Sequence, residues 1–109
     1  MGITKTDGFE SKTNDLAVKL KALGHPARWA IIEYLSKKDS CICNDIVDEL
    51  PLAQPTISRH LSELKKVGLI KGTIAGKNVC YCINTDEWNN VLSHFQEINF
   101  RLMKNENCC

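Results

Sequence analysis

The hydrophobic repeat of this chain changes character at Gly68, and that change limits the folds open to it. Upstream, Ile57, Leu61 and Leu64 recur at i+4 and i+7, one buried stripe of a helix opened by Pro55. Downstream, Leu69-Ile70-Lys71-Gly72-Thr73-Ile74 and Val79-Cys80-Tyr81-Cys82-Ile83 read as strands separated by Ala75-Gly76-Lys77-Asn78, which makes a hairpin. A helix running directly into a hairpin, within 109 residues, implies one compact domain with one core. A catalytic domain beside a separate regulatory one does not fit.

The remaining elements follow from the same periodicity. Residues 1–12 read as a flexible polar tail, and Leu16, Leu20 and Leu23 then form the stripe of a first helix ending at Gly24. Pro26 suits the first turn of a second helix carrying Ile31, Ile32 and Leu35, which should stop near Lys37-Lys38. Ser40 or Asn44 can cap a short third helix with Ile46, Val47 and Leu50, ended by Pro51. The tight turn Pro51-Leu52-Ala53 leads into the helix opened by Pro55, so these two helices form a helix-turn-helix. Thr85 is the expected cap of a last helix whose apolar face is Trp88, Val91, Leu92, Phe95, Ile98 and Leu102. The expected fold is mainly α with a small β-hairpin, in the order ααααββα. Its domain covers residues 13–104, and residues 105–109 form a cysteine-bearing tail.

Composition excludes more than it assigns. The N-terminal stretch lacks the apolar core of a signal peptide and no apolar run is long enough to span a bilayer, so a cytoplasmic protein without a membrane partner is expected. Net charge is only +1, which leaves any case for nucleic acid to local clustering. The six cysteines fall in close pairs, Cys41 with Cys43, Cys80 with Cys82, and Cys108 with Cys109. In a reducing compartment they should be thiols available as ligands, and none has the C-x-x-C spacing of a zinc ribbon or redox centre.

With Ile57, Leu61 and Leu64 facing inward, a turn of about 100° per residue places Pro55, Ser58, Arg59 and Ser62 on the outer face, with Gln54 and Thr56 at its exposed start. Gln can pair with adenine edges, hydroxyls can bond bases or phosphates, and Arg can fork onto guanine. Between Gln54 and Lys77 the cations Arg59, Lys65, Lys66, Lys71 and Lys77 stand against Glu63 alone. A phosphate-contacting surface follows, for which Lys65 and Lys77 are the candidates.

Three stretches carry a resemblance: Leu23-Gly24-His25-Pro26-Ala27-Arg28-Trp29-Ala30-Ile31-Ile32-Glu33-Tyr34-Leu35, Gln54 to Leu64, and Val67-Gly68-Leu69-Ile70. They resemble the signatures of the ArsR/SmtB metalloregulators over about residues 15–100. The resemblance implies a winged-helix homodimer held by its first and last helices, binding double-stranded operator DNA and repressing until an inducer arrives. It assigns Gln54, Thr56, Ser58 and Arg59 to the recognition helix.

Cys41-Ile42-Cys43 followed by Asp45 resembles the Cys-Val-Cys-Asp motif of arsenic-responsive members. As(III), the expected inducer with Sb(III) as a second candidate, is soft and prefers three thiolates. This chain departs from the motif at its third cysteine, where Ile46 stands, or Val47 after allowing for Asn44. The third thiolate must come from elsewhere, and the tail cysteines Cys108 and Cys109 are the favoured source. Cys80 and Cys82, which share one strand face, are the alternative, or else small buried hydrophobes. If Cys41 and Cys43 lay in a regular helix they would point about 200° apart, so ligation would have to unwind the helix start. The family's zinc site at the last helix is half missing: His94 and Glu97 are present, but Tyr81 and Ile83 stand where Asp and His are expected. His25 and His60 read as structural, His60 in helix packing or phosphate contact.

Two other readings use the same thiols. A redox- or persulfide-responsive repressor would keep the fold and change the signal. A thiol enzyme would need a C-x-x-C motif, an anion-cradling Gly-rich loop or a base beside a cysteine; none is present, so no catalytic activity or organic cofactor is expected.

Overall fold

The computed structural model describes residues 8–38, 41–42, 50–76 and 78–105. Their elements are α1 (Ser11–Leu23), α2 (Pro26–Ser36), α3 (Gln54–Lys66), β1 (Ile70–Ala75), β2 (Asn78–Ile83) and α4 (Thr85–Lys104). Helices, hairpin and closing helix follow in the order of a winged helix-turn-helix. The short helix expected over Ile46 and Val47, with its candidate caps Ser40 and Asn44, lies outside the described residues.

Each junction is closed by identifiable bonds. The His25 Nδ1 accepts the Ala27 N–H at 3.0 Å and caps α2, with Pro26 at its start. At the end of α3, Gly68 takes φ 85°, its N–H donates to the Lys65 carbonyl at 3.0 Å, and the Leu69 N–H donates to the Leu64 carbonyl at 3.1 Å. This Schellman closure needs the left-handed residue that glycine supplies. It delivers the chain straight into β1, which pairs antiparallel with β2 from Ile70 opposite Ile83 to Ala75 opposite Asn78. Gly76, at φ 63°, begins the two-residue loop at the hairpin tip.

The cap of α4 is Asn84 and not Thr85. Asn84 has the extended backbone a cap requires, while Thr85 is already helical. The Asn84 Oδ1 accepts the Glu87 N–H at 3.4 Å and its Nδ2 donates to the Gly68 carbonyl at 3.0 Å, joining the start of α4 to the end of α3. Replacing Asn84 by alanine removes both bonds and is expected to lower the unfolding free energy by about 1–2 kcal/mol. Urea unfolding measures this directly, and an unchanged midpoint would show that neither bond matters. From the other side, Lys19 of α1 pairs with Glu87, and that hydrogen bond, aided by Asn90, holds the Glu87 carboxyl below its ordinary pKa.

The core gathers Ala22, Ile31, Ile32, Leu35, Ile57, Leu61, Leu64, Leu69, Ile70 and Val91. The stripe of α3 is therefore pinned inward against α2 and β1, which fixes its outer face relative to the hairpin. By contrast α4 buries only Val91, leaving Leu92, Phe95, Ile98 and Leu102 exposed, while α1 exposes Val18 and Leu20. None of the helices among the described residues is long and apolar enough to cross a membrane.

Candidate nucleic-acid interface and thiol site

The outer face of α3 carries the side chains expected there. Gln54, Ser58, Arg59, Ser62 and Lys65 are exposed and Thr56 is half-buried. Lys65 leans on the wing: a Cβ placed on Gly72 would stand 3.1 Å from the Lys65 Nζ, so the missing side chain of Gly72 makes room for the lysine tail. Lys77 lies outside the described residues.

A second cationic feature sits where α2 begins. The His25 and His60 rings lie 4.5 Å apart between centroids, bringing the N-terminus of α2 against α3. Burial, reinforced by the nearby His25, Arg28 and Arg59, pushes the His60 imidazole below its ordinary pKa and favours its neutral form. The buried Arg28 Nε has no hydrogen-bond partner among the described residues. Sequence reasoning took His25 as structural but missed that it is both a helix cap and the ring partner of His60. The signal available was its position immediately before Pro26.

The thiols are organised by one long-range pairing. Ile42 and Tyr81 exchange both backbone hydrogen bonds, each 2.8 Å long, so the segment at 41–42 runs antiparallel to β2. Next to such a pair, opposed residues occupy the closely spaced non-hydrogen-bonded position, which here holds Cys41 and Cys82. Both are free thiols. The hydrogen bond between them, together with burial, pushes the Cys82 thiol up, while Lys71 acts in the opposite direction. Cys41 precedes an extended residue, Ile42, so the divergence expected of two cysteines in a regular helix does not govern it.

The other cysteines divide differently. Cys80 is buried and disulfide-bonded, so the expectation that all six cysteines are thiols fails at this position. Cys43, Cys108 and Cys109 lie outside the described residues. The structure thus joins a cysteine from the motif preceding α3 to one from the hairpin, two sources that sequence reasoning kept as alternatives. Among the described residues no group of three His, Cys, Asp or Glu side chains is placed to hold a metal ion, and His94 is half-buried on α4 without one.

Beside the thiol pair lies a cavity of about 590 Å³, walled by Trp29, Ile32, Ile83 and Trp88, with Cys41 and Cys82 at one side. Glu33 and Lys38 add charge to its lining. The Trp29 and Trp88 rings, 6.2 Å apart, also line a second cavity of about 310 Å³ that opens among Leu20, Leu92 and Phe95. The tryptophan pair therefore stands between the thiol cavity and the exposed apolar faces of α1 and α4.

Comparison with known proteins agrees with this architecture. Residues 25–71 match the family described as bacterial regulatory protein, arsR family. Over 79 residues the chain is 39% identical to an uncharacterized HTH-type transcriptional regulator of Methanocaldococcus jannaschii, covering 72% of this chain and 88% of that protein. It is 31% identical over 70 residues to the arsenical resistance operon repressor of Staphylococcus xylosus, covering 64% of this chain and 66% of that one. An ArsR-like transcriptional regulator from Rhodococcus sp. RHA1 shares the fold with a TM-score of 0.75, over 90% of this chain and 92% of that chain, at 21% identity.

Proposed function

Because the chain belongs to the arsR family of bacterial regulatory proteins, whose members are DNA-binding transcriptional repressors and not enzymes, we propose that it is an operator-binding repressor released by trivalent arsenic at cysteine thiolates. The observation that carries this reading is the Cys41–Cys82 pair: the Ile42–Tyr81 backbone bridge fastens the segment that precedes the recognition helix to the wing, and two free thiols stand opposite each other beside it. Similarity to an arsenical resistance operon repressor supports the choice of arsenic, and Sb(III) shares the preference for soft sulfur ligands.

In this reading Gln54, Thr56, Ser58 and Arg59 face base edges in the major groove, and Lys65 and Lys77 contact phosphates. The cytosolic protein acts as a homodimer. The apolar residues of α1 and α4 support this, since Leu20, Leu92, Phe95 and Ile98 are exposed. Inorganic As(III) completes its three-thiolate set in the reduced chain with Cys43 or Cys80. Cys43 follows Ile42 directly in the chain and Cys80 shares a strand face with Cys82, so both are favoured over the tail residues Cys108 and Cys109. Drawing these sulfurs onto one ion moves the segment before α3 relative to the wing. Release follows only if the ion binds this arrangement better than the DNA-bound one, and DNA then weakens ion binding by the same factor.

Replacing Arg59 by alanine is expected to weaken operator binding by about 1–3 kcal/mol, roughly 5- to 150-fold, with relaxed preference at its contacted base. Fluorescence anisotropy on the upstream DNA at fixed salt measures it. Undiminished binding by that variant would contradict the assignment of α3 as the reading element. A second reading, a thiol redox or persulfide switch on the same scaffold, draws support from the disulfide at Cys80 and the contact of Cys41 with Cys82.

A further inference from the structure

We propose that Cys41 is a modification site for apolar α,β-unsaturated carbonyl compounds, whose ring enters the cavity between Trp29, Ile32, Ile83 and Trp88 while the β-carbon meets the Cys41 sulfur. This goes beyond the arsenic reading: it uses one sulfur, takes no metalloid, and stands whichever ion induces the repressor. Its first support is the division of roles between the two thiols. Cys41 is free, exposed and part of the cavity lining. Cys82, half-buried beside it, is kept in the thiol form by its hydrogen bond to Cys41 and by burial. Its S–H is therefore a donor toward the neighbouring sulfur, and Cys41 is the nucleophile that a carbon electrophile can reach.

The second support is the chemistry of the walls. The nucleophile borders about 590 Å³ faced largely by tryptophan and branched aliphatic side chains. That volume lies within the range of about 300–1,000 Å³ usual for small organic ligands, and an apolar cavity with a few convergent polar groups is their usual site. Trp29 keeps 44% of its surface exposed there, an apolar face that a ring can cover. A ring stacked on or edged against the indoles would hold the electrophile beside Cys41, which a small polar electrophile cannot gain. Lys38 and Thr85 belong to the same lining and supply donors for the carbonyl oxygen.

The reaction balances without an oxidant, a reductant or a leaving group. The Cys41 sulfur gives an electron pair to the β-carbon and forms one S–C bond, while the π pair of the C=C bond moves onto the α-carbon and the carbonyl oxygen. The Cys41 proton passes to solvent and the α-carbon takes one back. The net change is addition of S–H across C=C, so the whole electrophile is retained. A donor aimed at the carbonyl oxygen lowers the barrier because negative charge develops there. Trp29 and Trp88 also line the second cavity among Leu20, Leu92 and Phe95, so the adduct sits against a wall shared with the apolar faces of α1 and α4.

The test uses the full chain, reduced with dithiothreitol and then freed of it, with phenyl vinyl ketone as the probe and methyl vinyl ketone as its small counterpart. The fastest adduct of the phenyl ketone is expected to add the whole reagent with nothing lost, and peptide mapping of the wild-type protein should place it on Cys41. Each rate is divided by the rate of the same ketone with glutathione, which removes the difference in intrinsic reactivity. The phenyl ketone should then be favoured at Cys41 by at least about tenfold, the effect of burying part of one ring. Tryptophan emission should be quenched in step with the phenyl adduct. Cys41→Ser should lose this fast adduct, and Trp29→Ala should bring the phenyl-to-methyl ratio toward one. Equal normalised rates for the two ketones at Cys41 in the wild-type chain would overturn the inference, as would mapping of the fast phenyl adduct to another cysteine. Quenching of tryptophan emission without any adduct would also overturn it, because the cavity would then hold a ligand that Cys41 does not attack.

Discussion

Replacing Leu64 by alanine is expected to lower the unfolding free energy by about 2–5 kcal/mol, the range for emptying a fully buried leucine site. Leu64 is among the largest completely enclosed side chains, with Ile57, Leu69 and Ile70 in the same cluster. Its backbone carbonyl also accepts the Leu69 N–H in the turn that closes α3. The cavity would thus open where the recognition helix hands over to the wing, between elements that cannot collapse independently. Small domains are stable by only about 5–15 kcal/mol, so the loss is a large share of the total. Urea unfolding of the variant against Ser62→Ala, an exposed change on the outer face of the same helix, measures it. The control should stay within about 0.5 kcal/mol. A loss below about 1 kcal/mol at Leu64 would mean that this stripe does not anchor α3.

The second large effect is on the response to arsenic. Coupling between two ligands in a switch of this kind is typically about 5- to 150-fold, read as the ratio of operator Kd with and without the inducer. Cys41→Ser and Cys82→Ser are each expected to bring that ratio to one. Serine keeps the size of the side chain and withdraws the soft donor, so the arsenic loses a ligand while the Ile42–Tyr81 backbone bridge, which uses no sulfur, stays in place. A chain carrying Cys108→Ser and Cys109→Ser should retain the ratio. Retention by the Cys41 and Cys82 variants together with loss in the tail variant would transfer the site to the C-terminus.

The described elements of the fold were legible because each has a local cause. The stripe Ile57, Leu61, Leu64 implied both the inward face of α3 and its outward set, and Gly68 marked the point where period 3.6 gives way to period 2. The capping residue of α4 was not legible. Asn84 and Thr85 are both competent caps, and the choice is made by a bond to the Gly68 carbonyl that exists only once the hairpin has brought the two segments together. The thiol pair was hidden for a similar reason. Cys41-Ile42-Cys43 and Cys80-Tyr81-Cys82 share the same spacing, but their pairing depends on the bridge between Ile42 and Tyr81, a tertiary contact with no local signature. The family resemblance pointed to the motif near Cys41 and its missing third cysteine turned the search to the tail, while the structure places beside Cys41 a wing cysteine held only as an alternative.

The most direct test of the account is release of the reduced protein from its own upstream DNA, followed by fluorescence anisotropy while arsenite, zinc and a polysulfide are titrated in parallel. Release by arsenite, with zinc and polysulfide without effect, is the predicted result. Release by polysulfide alone would make the cysteines a redox switch and contradict the arsenic reading, and binding that none of the three disturbs would contradict any role for these thiols in induction by such signals.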